Sequence, residues 1–383
     1  MKNVFVVSWV KSENYGTCLQ AYATNYILKK YANVRFVGQR RFYSIREYEY
    51  IIKRVIGIIK TKFVRTNNFD YGNYQIQHSR KVNKIEKLVS DTYEIYSLRT
   101  KQDIQSLDQW VDTYIVGSDQ MWNPWMLSPT YLLDFVSKHS VNKKTSFAAS
   151  FGVDNIPAKS KGIYRRLLKR FDYITVREPR AAELVNELVN KEAVVISDPT
   201  LLLTPNEWRA FAVQSTSCSD YDLNNDYILC YFIGAPEFNH LSTVKKLAKK
   251  LGKKIVLLPT KQEDYLINDK KIIVVADACP YDFIDLIDKA FLVCTDSFHA
   301  VVFSFLMSTP FYDFPRFKKG DKYSQDARLK NIIDRFKLTD SYWDEFADFD
   351  QIQQHLSCKY DEGYSVLEIE RSRCLKIVEE KLI

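Results

Sequence analysis

The chain opens with an apolar run, Val4–Val10, broken only by Ser8. Its β-branched and aromatic stretch Asn3–Trp9 has the pattern of a buried strand. A polar turn, Lys11 to Gly16, leads into a segment where Leu19, Tyr22, Ala23, Tyr26 and Ile27 recur at helical spacing, predicting one buried stripe. Val34–Val37 reads as the next strand, so the chain begins as a βαβ unit, from which parallel sheets are built. Strands are predicted again at Thr113–Val116, Thr145–Ala149, Tyr173–Val176 and Val194–Ile196, with helices over Lys159–Arg170 and Pro179–Asn190.

A polar stretch, Ser215–Asn225, is the best linker candidate, and a second α/β series follows it. That series predicts strands at Tyr227–Ile233, Lys254–Leu258, Ile272–Val275, Phe291–Cys294 and Phe311–Phe314. Between them lie helices at Asn239–Leu251, Tyr281–Lys289 and His299–Met307. A last helix, Val366–Lys381, could cross back onto the first half. The expected fold is α/β, with two doubly wound Rossmann-like domains, 1–215 and 225–383, facing a cleft, and 383 residues suit two domains.

Residues 39–100 interrupt the rhythm as a basic helical insert in the first domain. Within it, positions 46–65 carry Ile51, Ile52, Val55, Ile56, Ile59 and Phe63 on one side and Lys53, Arg54 and Lys60 on the other. Such a helix can lie on an anionic membrane surface, although packing on its own domain is the commoner arrangement.

Composition narrows the class. With 46% hydrophobic residues and only 11 Gly and 11 Pro, the chain is a packed globular protein and not a disordered or collagen-like one. The formal net charge of +8 favours anionic company without choosing among phosphorylated substrate, nucleic acid and acidic membrane. Seven scattered cysteines with no CxxC pair and no Cys/His cluster point to a reduced compartment and no bound metal. No run reaches the ~20 apolar residues of a membrane span, and the opening run lacks a signal-peptide cleavage site, so a cytoplasmic protein is expected.

In doubly wound sheets ligands bind beyond the carboxyl ends of the strands. After Phe291–Cys294 comes Thr295-Asp-Ser-Phe-His299 and an apolar helix. Thr295, Asp296 and Ser297 are capable caps, and His299 in the first turn can move a proton beside an anion held at the helix end. After Val116, Gly117 lets backbone approach a ligand, and Ser118 and Asp119 either bind hydroxyls and act as a base or form a simple Asx turn. Arg177 precedes a helix opened by Pro179 and can hold an anion or bridge to Glu178 or Asp198, while Asp198-Pro199 is most simply a turn former. Asn14, Tyr15 and Gly16 precede the first helix, and Arg316, Lys318, Lys319, Lys322 and Arg328 make a later loop basic. No Gly-x-Gly-x-x-Gly turn follows the first strand, no phosphate-binding Gly-Lys-Ser/Thr loop occurs, and no nucleic-acid module is present. The positive charge is therefore assigned to a small anion.

Seven short stretches together resemble the polysaccharide pyruvyltransferase family. They are Asn14-Tyr-Gly-Thr-Cys-Leu-Gln20, Val116-Gly-Ser-Asp-Gln-Met-Trp-Asn123, Phe147-Ala-Ala-Ser-Phe-Gly152, Val176-Arg-Glu178, Ser197-Asp-Pro-Thr-Leu-Leu-Leu203, Tyr231-Phe-Ile-Gly234 and Thr295-Asp-Ser-Phe-His299. The resemblance implies a fold like the two-domain GT-B glycosyltransferases. It also implies cofactor-free transfer of a pyruvyl group from phosphoenolpyruvate to a sugar diol, giving a cyclic ketal during cell-surface polysaccharide synthesis of the capsule or exopolysaccharide kind. On that mapping His299 and Asp119 are catalytic. Arg177, together with Ser297, Thr295, Arg316, Lys318 and Lys319 of the second half, holds the donor, and Asn14, Tyr15, Gly16, Gly117, Ser118 and Trp122 face the acceptor from the first. Many family members carry an arginine where this chain has Ser297, so another cation must substitute or the donor differs. The basic insert suggests a lipid-linked acceptor, met at the inner face of the membrane. Two rival readings are a nucleotide-sugar glycosyltransferase, with Asp277 or Asp282 near the ribose, and a non-catalytic scaffold docking through the insert.

Overall fold

A computed structural model of the protein describes residues 1–40, 71–234, 240–316, 326–343, 349–357 and 360–383. The first domain runs β1 (Lys2–Val7), α1 (Tyr15–Leu28), β2 (Ala32–Arg40), α2 (Tyr71–Thr92), β3 (Ile95–Leu98), α3 (Lys101–Trp110) and β4 (Thr113–Val116). It continues through β5 (Lys143–Ser146), α4 (Ala158–Leu168), β6 (Thr175–Val176), α5 (Pro179–Val189) and β7 (Val194–Val195). Its five main strands pair in parallel in the order β3-β2-β1-β4-β5. Single bridges from Thr145 to Tyr173 and from Ala149 to Val176 join the β6–β7 pair to that sheet. Val4 to Val7 of the central strand are fully buried, as a strand covered on both faces requires.

After a helical turn at Pro199–Leu202 and α6 (Pro205–Ala212), the second domain runs β8 (Tyr227–Tyr231), α7 (His240–Leu251), β9 (Lys254–Leu257), β10 (Ile272–Val274), α8 (Pro280–Asp288), β11 (Leu292–Thr295), α9 (Phe298–Met307) and β12 (Phe311–Asp313). Helices α10 (Asp326–Arg335), α11 (Phe349–Leu356) and α12 (Asp361–Ile377) follow. Its parallel order, β10-β9-β8-β11-β12, repeats the first sheet. In each sheet the winding reverses between the first strand and the fourth, and that is where a doubly wound sheet opens a crevice. The four loops at the two reversals follow β1, β4, β8 and β11.

Helix α1 does not carry the single buried stripe its spacing predicts. Thr17, Cys18, Gln20, Ala21, Thr24 and Asn25 are buried as well, while Tyr22 and Tyr26 stay partly exposed. The reason is tertiary: α1 lies between the domains, and Tyr15 stacks on Phe283 of α8 at 4.9 Å between ring centroids. One apolar cluster consequently runs from Leu19 and Ile115 to Val293 and Phe303 without a break at the domain boundary.

The stretch 39–100 is not wholly helical, because Ile95–Leu98 adds edge strand β3 to the sheet beside β2. The amphipathic segment at 46–65 lies outside the described residues. Ser215, in the polar stretch between the domains, is anchored by its hydroxyl to Asp282 at 2.8 Å. The last helix reaches the first domain: Arg371 donates to the carbonyls of Leu201 and Leu203, and Arg373 to that of Val195. No described helix is long and apolar enough to cross a membrane.

Candidate functional site

His299 sits in the first turn of α9, and the turn before it is held from within. Thr295 donates its hydroxyl to the Tyr231 carbonyl at 2.6 Å and accepts from the Ser297 N–H at 3.1 Å. The Asp296 carboxylate accepts the N–H groups of Ile233 and Gly234, at 2.7 and 2.8 Å, tying the loop after β8 to the loop after β11. Burial pushes the Asp296 carboxyl above its usual range, with those two N–H groups and Arg316 partly offsetting it. Ser297 occupies the cap position without capping, and its hydroxyl makes no hydrogen bond among the described residues. From the first domain, Gly16 presses against the imidazole: a Cβ there would overlap Nδ1, Cγ and Cβ of His299. Asn14 caps α1 by accepting from the Gly16 N–H at 3.0 Å, which fixes the loop that makes this approach.

Facing His299 is Asp198, fully buried, whose Oδ2 lies 3.8 Å from His299 Nε2. The same oxygen accepts Arg177 Nη1 at 2.9 Å and the Ser118 hydroxyl at 3.1 Å, while Oδ1 accepts from Thr200 N and Oγ1. Burial alone would raise this carboxyl; His299, Arg177 and the Thr200 N–H outweigh it and hold Asp198 far below the usual carboxylate range. Arg177 also donates Nε to Glu178 at 3.0 Å and stands 4.0 Å from Asp119, and its guanidinium lies over the Phe298 ring. Against the burial that would lower it, Glu178, Asp198 and Asp119 push Arg177 above its usual value, so its charge is locked in. Asp119 adopts φ +68°, a conformation Asp tolerates better than most residues, and accepts the Thr17 hydroxyl at 2.9 Å.

Two buried nitrogens here have no hydrogen-bond partner among the described residues, Arg177 Nη2 and His299 Nε2. Arg328 of α10 lines the small cleft with Arg177, Asp198 and Phe298, and it also lines an adjoining cavity of about 300 Å³ beside Gly152 and Glu178. Burial, and then the nearby Arg177 charge, pushes the Arg328 guanidinium down to about 9. Cations held in this way favour a bound anion.

The structure thus brings His299 and Arg177 to Asp198, with Gly16 against His299 and Asp119 4.0 Å from Arg177, while Ser297 stands in the turn two residues before His299. Arg316 stands beside Gly234 and Asp296, at the edge of the same turn. Lys318 and Lys319 lie outside the described residues. Several residues expected at the ligand are taken up in packing and turn contacts. Trp122 is fully buried in the first domain's core with its Nε1 on the Tyr131 carbonyl, Gly117 is packed on Ser8, and Thr295 is consumed in holding its turn. Ser118 is fully buried and reaches the site through Asp198, and Tyr15 is fully buried against Phe283. Asp277 is paired with Lys84 at 3.1 Å, and Asp282 caps α8 through the Cys279 N–H. The Arg177–Asp198 bridge was one of the sequence alternatives, but nothing in the sequence showed that Ser118 and His299 meet the same carboxylate. The place of Asp198 after a strand of the parallel sheet was the available signal, but an Asp-Pro step reads as a turn.

Among solved structures, the S. aureus MnaA-UDP co-structure is similar to this chain at 11% identity and a TM-score of 0.53, covering 99% of this chain and 96% of its own. A UDP-GlcNAc 2-epimerase from Methanocaldococcus jannaschii, in complex with UDP-GlcNAc and UDP, is similar at 11% identity and a TM-score of 0.52, covering 96% and 99%. At these identities the likeness is one of fold, two Rossmann-like domains in the GT-B arrangement. No curated protein matches the chain. The sequence model described as polysaccharide pyruvyl transferase matches residues 14–312, from the cap of α1 to β12, and takes in His299, Asp198, Arg177, Asp119 and Gly16, while Arg316 and Arg328 lie beyond it; the chain belongs to that family.

Proposed function

We propose that the protein transfers the pyruvyl group of phosphoenolpyruvate to two hydroxyls of a sugar, forming a ketal and inorganic phosphate. The observation that carries this reading is a pair of buried nitrogens, Arg177 Nη2 and His299 Nε2, that make no hydrogen bond among the described residues and belong to side chains that share Asp198. Buried donors of this kind are normally satisfied, so a ligand acceptor is what they lack. An anion bearing carboxylate and phosphate fits Arg177 and Arg328, which line one cleft.

In this reading His299 protonates the methylene carbon of the enol, leaving oxocarbenium character on the adjacent carbon. The first sugar hydroxyl attacks that carbon and loses its proton to Asp119. Phosphate then departs, and the second hydroxyl closes the ring, its proton leaving with the phosphate. Asp198, 3.8 Å from Nε2, keeps the imidazole in place. Arg328 supplies a cation that Ser297 cannot.

Thermal unfolding with phosphoenolpyruvate and with uridine diphosphate tests the donor. A ligand at ~100 times its dissociation constant adds about 2.7 kcal/mol. Phosphoenolpyruvate should raise the melting temperature of wild type and not of His299→Ala/Arg177→Lys, while uridine diphosphate should leave it unchanged. Stabilisation by the nucleotide alone would replace this reading with sugar transfer from a nucleotide.

A further inference from the structure

A second cavity, of about 230 Å³, opens between the domains on the other side of the α1 cap. Its walls include Glu13, Asn14, Tyr74, Lys81, Tyr231 and Tyr265. Lys81 is the feature that needs explaining. It projects from α2 and is only 3% exposed, yet it makes no hydrogen bond or ion pair with the described residues. Its ammonium lies 4.7 Å from the centroid of the Tyr15 ring, which offers a cation–π contact and no acceptor. Glu13, whose charge acts on Lys81, is engaged by His78 at 3.0 Å. An ammonium has three donors, and burying it without acceptors is costly unless an anion completes the site.

The rest of the cavity suits a sugar. Tyr74 meets Tyr265 edge to face at 5.0 Å and stacks on His78, giving aromatic faces on which the apolar side of a pyranose can rest. Asn14 and Glu13 offer polar atoms for hydroxyls. The place is also right: Asn14 belongs to the loop that sets Gly16 on His299, and Tyr231 accepts the Thr295 hydroxyl at the base of the catalytic turn.

We infer that this cavity binds the acceptor as a sugar carrying an anionic group, phosphate or carboxylate, with the anion on Lys81 and the ring against Tyr74 and Tyr265. The inference rests on the pyruvyl-transfer reading, which requires an acceptor beside His299. Burial lowers the Lys81 pKa while Glu13 and Cys18 pull it back up, and a bound anion would add to their effect.

The test is titration calorimetry of wild type and Lys81→Met with glucose 1-phosphate, methyl glucuronide, neutral methyl glucoside, inorganic phosphate and phosphoenolpyruvate. At least one anionic sugar should bind wild type ten-fold or more tightly than both the neutral glycoside and inorganic phosphate, and Lys81→Met should abolish that preference. Which of the two binds names the anionic group. Binding of neither, equal binding of the neutral glycoside, or an undiminished preference in Lys81→Met would overturn the inference. Phosphoenolpyruvate separates the two readings, since its site does not include Lys81. Retained donor binding without sugar preference sinks the inference alone, and sugar binding without donor binding sinks the pyruvyl-transfer reading alone. Methionine keeps the length and removes the buried charge, so the variant should fold at least as well as wild type.

Discussion

Gly16 of the first domain and His299 of the second are in such close contact that a methyl group at 16 would occupy the space of the imidazole. The two residues are separated by most of the chain, and each sits at a strand-to-helix turn beside the winding reversal of its own sheet. The contact sets how the two reversals face one another, and with them the proton-transferring group and the loop beside the acceptor.

Gly16→Ala should therefore displace the ring. A shift of about 1 Å in a reacting group can cost ~100-fold in rate, and a loss of that order in kcat is expected with a folded protein. A double-mutant cycle with His299→Gly checks the cause, since the His299 Cβ lies within the overlap as well as the ring. Gly16→Ala should lower the melting temperature of wild type more than that of His299→Gly, in which the whole clashing side chain is gone. Equal effects in the two backgrounds would show that the methyl strains something else.

Arg177 stands among Glu178, Asp198 and Asp119, and its side chain is 3% exposed. Removing one partner from a buried ionic cluster leaves uncompensated charge and costs ~3–5 kcal/mol. Arg177→Met should show a loss of that size in denaturant unfolding. Arg177→Lys should recover part of the stability by restoring charge but little of the donor affinity, because an ammonium cannot satisfy Glu178 and Asp198 while presenting a planar edge to an anion. A lysine variant with full donor affinity would remove Arg177 from the binding role.

Asp198 gives the protein a predictable response to acid. Its carboxyl titrates below the unfolded value of ~3.9, so below that pH the unfolded chain binds the proton more readily than the folded one. The stability this group contributes is fully present above pH ~4 and is lost as pH falls from there toward its depressed value. Melting temperatures between pH 6 and 3 should fall more steeply at the acid end for wild type than for Asp198→Asn. Parallel curves would mean that the Arg177–Asp198–His299 contacts do not hold the carboxylate ionised.

Much of the scaffold was readable locally. The β8 to β12 series shows period and punctuation clearly enough that observed strands differ from the expected ones by only a residue or two at their ends, and the turn Thr295–His299 falls where a strand meets an apolar helix. Edge strand β3 was hidden because Ile95–Leu98 is short, half-exposed and embedded in a basic stretch, so no alternation stands out. Trp122, which the family resemblance placed at the acceptor, is fully buried, with Phe151 against its ring and the Tyr164 hydroxyl on its backbone carbonyl.

What the sequence by itself determined is the order of strands and helices, the βαβ winding, and the chemistry available at each strand end, because periodicity, caps and turn residues act over a few positions. Which of those ends meet was decided only by the tertiary structure. Asp198 becomes the hub when Arg177, Ser118 and His299 converge on it from three other loops, and Lys81 becomes a buried cation when α2 packs beside Tyr15. Burial and charge pairing depend on neighbours far away in sequence, and local pattern carries no record of them.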